Sequence, residues 1–192
     1  MRPGRPGDAA AAAALAFSAA PEEYTLLAGS AERALAILND MWPRPGHSAS
    51  FEHALVAEID GRVVGLLIAF PARERYRLHA RLLLASLPRL HPLRWPLLLF
   101  ALPLVVLASQ RPPRRSCYVG TIAVAPHARR RGVAFALGRH AEAAAAARGF
   151  PAIVAHTGTR HAVARRTLEE YGLDLVKARR VGYALYAKAI EP

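Results

Sequence analysis

The sequence predicts a single α/β domain in which strands alternate with helices, and three stretches carry that prediction. Two β-rich runs, Ala54–Ile59 and Arg62–Phe70, meet at Asp60-Gly61, a dipeptide suited to a two-residue hairpin turn because both positions tolerate positive φ. A third run, Tyr118–Val124, leads through a basic turn into the alanine-rich stretch Val133–Arg148. Pro151–His156 then repeats the alternation as a buried parallel strand. The full order, β-α-α-β-β-(insert)-β-α-β-α-β, is an α/β sandwich pattern and not a repeat array or a helix-turn-helix. With 192 residues the chain suffices for one domain with a full core, taken as residues 1–192.

In chain order, Asp8 occupies an N-cap position, and the alanines and Leu15 carry a helix from Ala9 to about Ser18. That reading is preferred to a signal peptide, although the alanine run ends in small residues. A second helix starts after Ser30 and ends near Trp42-Pro43, where the residue before proline leaves helical space. The stretch 71–115 forms a helical insert. Its first half is an amphipathic helix with Tyr76, Ala80, Leu83, Leu84 and Leu87 on one face, stopped by Pro88. Its second half, Pro96–Ala108, is nearly all apolar, yet too short to span a bilayer and interrupted by Pro103. After Gly149 has ended the alanine-rich helix, a further helix runs from Thr159 or His161 to Tyr171, and Gly182–Ala187 forms the last strand.

The formal charge of +12 invites a nucleic-acid reading, but the excess is local. Arg75 through Ala141 contains no Asp or Glu, and its arginines lie partly in the insert and partly in the basic turn. The aromatic residues of the insert form no base-stacking module, so nucleic acid and an anionic membrane surface are the disfavoured partners. A single cysteine, Cys117, excludes an internal disulfide framework, and eight histidines without His-x-x-x-His spacing give no metal site; a cytoplasmic protein is expected.

The basic turn is read as an anion cradle. A strand that feeds a tight turn and opens a helix leaves backbone N–H groups unpaired at the positive end of the helix dipole. Gly132 admits close backbone approach, Ala134 stays small, and Arg129, Arg130 and Arg131 supply counter-charge; a diphosphate suits the place. Spelled Arg-x-x-Gly-x-Ala, this stretch resembles the pyrophosphate motif of the GCN5-related N-acetyltransferases (GNAT). The Arg-Pro opening and the Asp-Gly-Arg-Val-Val-Gly hairpin are similar to that superfamily's first three strands, and the resemblance covers most of the chain outside the insert.

The resemblance implies a mixed, mostly antiparallel sheet flanked by helices, with the insert placed before the cofactor-binding strand. It further implies acetyl-CoA, or another acyl-CoA, as co-substrate, and direct transfer of the acyl group to a small-molecule or peptide amine. The pantetheine arm would add along Ile122, Ala123 and Val124. Arg129 to Ala134, Val133 included, would take the diphosphate, and His161 stands where the family often has an asparagine at its last helix. Two family groups are missing: the strand before the cradle offers Ser116, Cys117, Tyr118 and Thr121 but no carboxylate, and Leu168 stands where a tyrosine is common. An alkylammonium with pKa ~10.4 must still lose a proton before attack. His156, at the end of the next strand, is the first candidate base because an unperturbed imidazole suits the task; Glu22, Glu23, Glu52 and Glu58 are the others. A CoA-binding protein without turnover remains the alternative to an enzyme, and a homodimer through 71–115 remains open.

Overall fold

The computed structural model describes residues 1–96, 100, 110–159, 161–178 and 182–190. Its seven strands are β1 (Arg2–Pro3), β2 (Ala54–Ile59), β3 (Arg62–Pro71), β4 (Cys117–Val124), β5 (Ala152–Gly158), β6 (Asp174–Ala178) and β7 (Tyr183–Ala189). They form one mixed sheet in the order β1-β2-β3-β4-β5-β7-β6, antiparallel everywhere except between β4 and β5. The helices are α1 (Ala9–Ala19), α2 (Pro21–Ala28), α3 (Ala31–Met41), α4 (Arg75–Ser86), α5 (Val133–Ala147) and α6 (Ala162–Glu170).

The sheet divides the core. On one face Val56, Leu66, Ile68, Phe70, Tyr118 and Val154 pack under α1, with Leu38 of α3 and Leu78 of α4 in the same cluster. On the other face Ala57, Leu67, Ile153, Ala155 and Tyr186 pack against Val133, Leu137 and Ala141 of α5 and against Leu168 of α6. Alternating strand residues supply the two faces, as the two-residue strand period requires.

Local signals account for most element ends. Asp60 (φ 49°) and Gly61 (φ 73°) both take left-handed conformations and close the β2–β3 hairpin as expected. The Ser30 hydroxyl accepts a hydrogen bond from the Arg33 N–H at 3.2 Å, which caps α3. Asp8 precedes α1 but does not cap it. Its carboxylate is instead held by both terminal nitrogens of Arg2 at 2.8 Å and by the Arg5 N–H at 2.8 Å, while Arg2 Nε reaches Glu58 at 2.7 Å. These bonds tie the two-residue β1 to β2.

Arg2 holds the Asp8 carboxyl below the usual carboxylate range. A group whose folded pKa is depressed stabilises the fold above its unfolded pKa, and that stabilisation is lost as pH falls through the folded value. Arg2→Ala is therefore expected to cost ~1.5–3 kcal/mol at pH 7. The gap from wild type should close progressively below about pH 4, and urea melts at pH 7 and at acid pH would measure it.

Three elements differ from expectation. The segment Pro21–Ala28 is a helix with Pro at its start, Glu22 and Glu23 in its first turn and Gly29 (φ 92°) at its C-cap. Two strands follow α6 where the sequence suggested one, because β6 is an edge strand whose five residues are all exposed and show no alternation. In α4 the buried side chains are Arg75, Leu78 and Ser86, whereas Tyr76 and Leu84 are exposed. Leu83 and Leu87 of the expected face are half-buried against the cluster of Ile37, Met41 and Leu90, so only part of that face meets solvent. The apolar run expected over Pro96–Ala108 falls largely outside the described residues.

Candidate active site

The site forms where the sheet opens. β4 and β5 pair over only three residues, Cys117↔Ile153, Tyr118↔Val154 and Val119↔Ala155. Beyond them β4 continues to Val124 and β5 to Gly158 without pairing, although both lie in the middle of the sheet. Gly120 is consequently exposed at the centre of a seven-stranded sheet. Backbone polar groups facing such a gap need a partner, and an extended arm laid along β4 supplies one as an added strand would.

A bulge sharpens the opening. On the β3 side, Ile68 pairs with Thr121 and Ala69 with Val119, so Gly120 is the extra residue. The bulge breaks the two-residue alternation. Val119 and Ile122 line a small apolar cleft, about 40 Å³, beside Ala134, Phe135 and Leu168, whereas the consecutive residues Gly120 and Thr121 border a second cavity on the opposite face. The two spaces thus meet β4 at the same place.

At the end of β4 the chain turns through Pro126–Ala128 into α5. Arg130 (φ 57°) and Gly132 (φ 75°) adopt left-handed conformations with Arg131 between them, an arrangement that aims successive N–H groups toward one point. Among the described residues, none accepts a hydrogen bond from the N–H of Arg130, Arg131, Gly132, Val133, Ala134 or Phe135. A Cβ built on Gly132 would meet nothing within 4 Å, so the space over these donors is open. Arg130 and Arg131 are exposed and form no ion pair among the described residues, while Arg129 donates from Nε to the Val124 carbonyl at 3.0 Å and occupies one acceptor of the β4 edge. Free donors, a helix N-terminus and unpaired arginines together make a cradle fitted to a polyanion.

The remaining candidates are spread over both faces of the sheet. His156, on β5 past the last β4 pair, packs its ring against Tyr118 with centroids 5.6 Å apart. Both ring nitrogens are buried, and neither finds a partner among the described residues. Burial first, and then the Arg75 guanidinium, push its pKa down to about 4, so the ring is neutral at pH 7. His161 precedes α6; its ring crowds Gly158, and Nε2 lies 3.7 Å from Glu23 of α2. Glu52 accepts the Gly46 N–H and Glu58 pairs with Arg2, which gives both carboxylates structural partners. Tyr171 stacks on Phe135 at 5.3 Å and lies beneath Lys188. A Cβ on Gly138 would meet its ring at 2.6 Å, and this close fit makes it a packing residue of the α5–α6 contact.

The sequence reading passed over His79. It sits on α4 among Phe70 (centroids 5.9 Å) and Tyr118 (6.5 Å) and lines the second cavity with Gly120 and Thr121. Its Nδ1 is 2.8 Å from the Arg75 carbonyl, which can only accept, so Nδ1 carries the proton and Nε2 the lone pair. The four-residue spacing from Arg75 was the available signal; the facing strand was not visible. Among the described residues, no group of His, Cys, Asp and Glu is arranged to hold a metal ion, and no helix is long and apolar enough to cross a membrane.

Comparison with known proteins adds the family. Residues 18–173 match the profile of the acetyltransferase (GNAT) family. None of the curated proteins compared matches the chain. Among solved structures, one described as an acetyltransferase aligns with TM-score 0.73 at 19% identity, covering 99% of this chain and 98% of the other. An N-acetyltransferase from Staphylococcus aureus Mu50 aligns with TM-score 0.70 at 15% identity, covering 97% and 98%. The PaiA N-acetyltransferase from Thermoplasma acidophilum, solved in complex with coenzyme A, aligns with TM-score 0.56 at 10% identity over 98% and 96%. At such identities the likeness to these structures is one of fold.

Proposed function

The chain belongs to the acetyltransferase (GNAT) family, and from that premise we propose that it is an acyl-CoA-dependent N-acyltransferase that moves acetyl from acetyl-CoA to a small-molecule or peptide amine by direct attack. The observation that carries this reading is the continuity of two binding features: the unpaired edge of β4 and the free N–H groups at the start of α5. Acyl-CoA supplies an activated acyl group as a thioester. Ile122, Ala123 and Val124 would bind its extended arm through main-chain groups, so their side chains can be simple aliphatics. The N–H groups from Arg130 to Ala134 would hold the diphosphate, with Arg130 and Arg131 closing over it and Arg129 bracing the strand end. His161, at the far end of the β5 gap, would border the arm from the other strand.

Proton removal falls to an imidazole in this reading, since β4 carries no carboxylate. His156 is neutral and on the acceptor face, and we propose that it serves only as a relay beside a stronger base. The burial and the Arg75 charge that hold its pKa near 4 make it a weak base.

Thermal unfolding with acetyl-CoA, followed by a thiol-release assay over amino acids, peptides and simple amines, tests the proposal. A ligand at 100 times its Kd stabilises the folded state by ~2.7 kcal/mol, which shifts Tm by ~5–10 °C in a chain of this size. No shift with any acyl-CoA would sink the reading. A shift without thiol release would reduce it to cofactor binding.

A further inference from the structure

The second cavity, about 300 Å³, lies between the α1–α3 layer and α4 and ends on the β4 bulge. Its walls are Ala12, Ala13 and Ala16 of α1, Ile37 and Leu38 of α3, and Phe70, with Leu82 and Leu83 of α4. We propose that this cavity is the acceptor site, that its substrate is a primary amine carried on an apolar body, and that His79 is the base that takes the amine's proton. The inference rests on the acyltransferase reading given above.

Three observations choose this occupant. First, among the described residues no carboxylate lines the cavity, and the buried Arg75 lies one helical turn before His79, which does line it. A polycation would meet repulsion without a counter-charge, whereas an amine with a hydrocarbon body gains by burial and can enter uncharged. Second, the cavity opens on Gly120 and Thr121, on the face opposite the cleft bordered by Val119 and Ile122. Third, His79 presents a fixed tautomer on an exposed ring, so its Nε2 lone pair is open to whatever fills the cavity. A hydrocarbon chain, such as the tail of a long acyl group, would leave that lone pair unsatisfied. An amine N–H satisfies it.

In the transfer, the amine nitrogen bonds to the thioester carbonyl carbon and the carbon–sulfur bond breaks. The electron pair leaves with sulfur, and the amine proton passes through His79 Nε2 to the thiolate, giving amide and free thiol. The groups facing His79 are Arg75 on its own helix, Tyr118 on β4 and Phe70 on β3, with His53 on the other side of Phe70. Although His79 is exposed as a residue, desolvation of its ring against Phe70 and Tyr118, and then the Arg75 charge, hold its pKa below the usual imidazole range, so it is a free base at neutral pH. Turnover should therefore fall as pH drops through its pKa.

The test compares 2-phenylethylamine and 3-methylbutylamine with spermidine and lysine amide, using acetyl-CoA throughout. The apolar amines are expected to have a kcat/KM at least about tenfold higher, and 2-phenylethylamine alone should raise the wild-type Tm. Ala16→Phe, which fills the cavity, should abolish that amine-induced shift while the acetyl-CoA shift persists. His79→Gln should lower kcat by on the order of 100-fold and remove the acid limb of its pH profile, again with the acetyl-CoA shift intact. Preference for spermidine, or an unchanged pH profile in His79→Gln, would overturn the proposal. So would preference for octanoyl-CoA over acetyl-CoA that Ala16→Phe abolishes, since this would assign the cavity to the acyl chain. Loss of every acyl-CoA shift in the wild type is a separate result and would remove the underlying reading instead.

Discussion

Gly132→Asp is expected to abolish stabilisation by acetyl-CoA while leaving the free protein nearly as stable as wild type. Position 132 has φ 75° and immediately precedes α5, and a Cβ there meets no protein atom within 4 Å. The new carboxylate would therefore project into the open space over the free N–H groups, where the diphosphate is proposed to sit. Two like charges about 4 Å apart at an effective dielectric constant of about 20 repel by ~4 kcal/mol, or roughly a thousandfold in Kd. The fold should tolerate the change, because Asp accepts left-handed backbone better than most residues and favours a helix N-terminus. Gly132→Ala separates strain from charge: it carries the larger backbone penalty, of order 1–2 kcal/mol, without the repulsion, and should retain most of the acetyl-CoA shift. Equal shifts in wild type and Gly132→Asp would show that the ligand binds elsewhere.

The cradle could be read from sequence because its determinants are contiguous. Six residues from Arg129 to Ala134 specify turn, charge and helix start, and no distant segment is needed to shape them. The same holds for the β2–β3 hairpin at Asp60-Gly61 and for the Ser30 cap. The opening between β4 and β5 depends on which residues of two segments, more than 25 positions apart, pair and where they stop. The bulge at Gly120 that accompanies it carries no local mark beyond a glycine in a strand. The helix α2 is a different case: Pro21, the two following glutamates and Gly29 are ordinary start and stop signals, but its sequence is only weakly amphipathic and marks no clear face for burial. The acceptor side was the least legible. His79 becomes a site residue only through its contacts with Phe70 and Tyr118 on neighbouring strands, and His156 loses basicity through burial in the folded chain and then through Arg75, 81 positions earlier.

Gly65→Val should damage both the fold and the cradle, because α5 rests directly on this glycine. Gly65 pairs with Ala57 on one side and Val124 on the other, and a Cβ built on it would meet Val133 Cγ1 at 2.9 Å, Leu137 Cδ1 at 3.0 Å and Ala57 Cβ at 3.1 Å. Leu137 is fully buried and Val133 nearly so, which leaves no free rotamer to absorb the added atoms. Overpacking of this kind costs ~1–3 kcal/mol, or about 2–12 °C in Tm for a chain of this length. The functional effect follows from the same contact. Val133 is the first residue of α5, so lifting the helix from β3 moves the cradle's N–H groups relative to the β4 edge, and the acetyl-CoA shift should shrink as well. A double-mutant cycle isolates the cause. Gly65→Ala and Val133→Ala should each destabilise, but together they should cost less than their sum by about 1 kcal/mol, since truncating Val133 makes room for the new methyl. Strict additivity would mean that the helix does not bear on this glycine and that the cradle is positioned by other contacts.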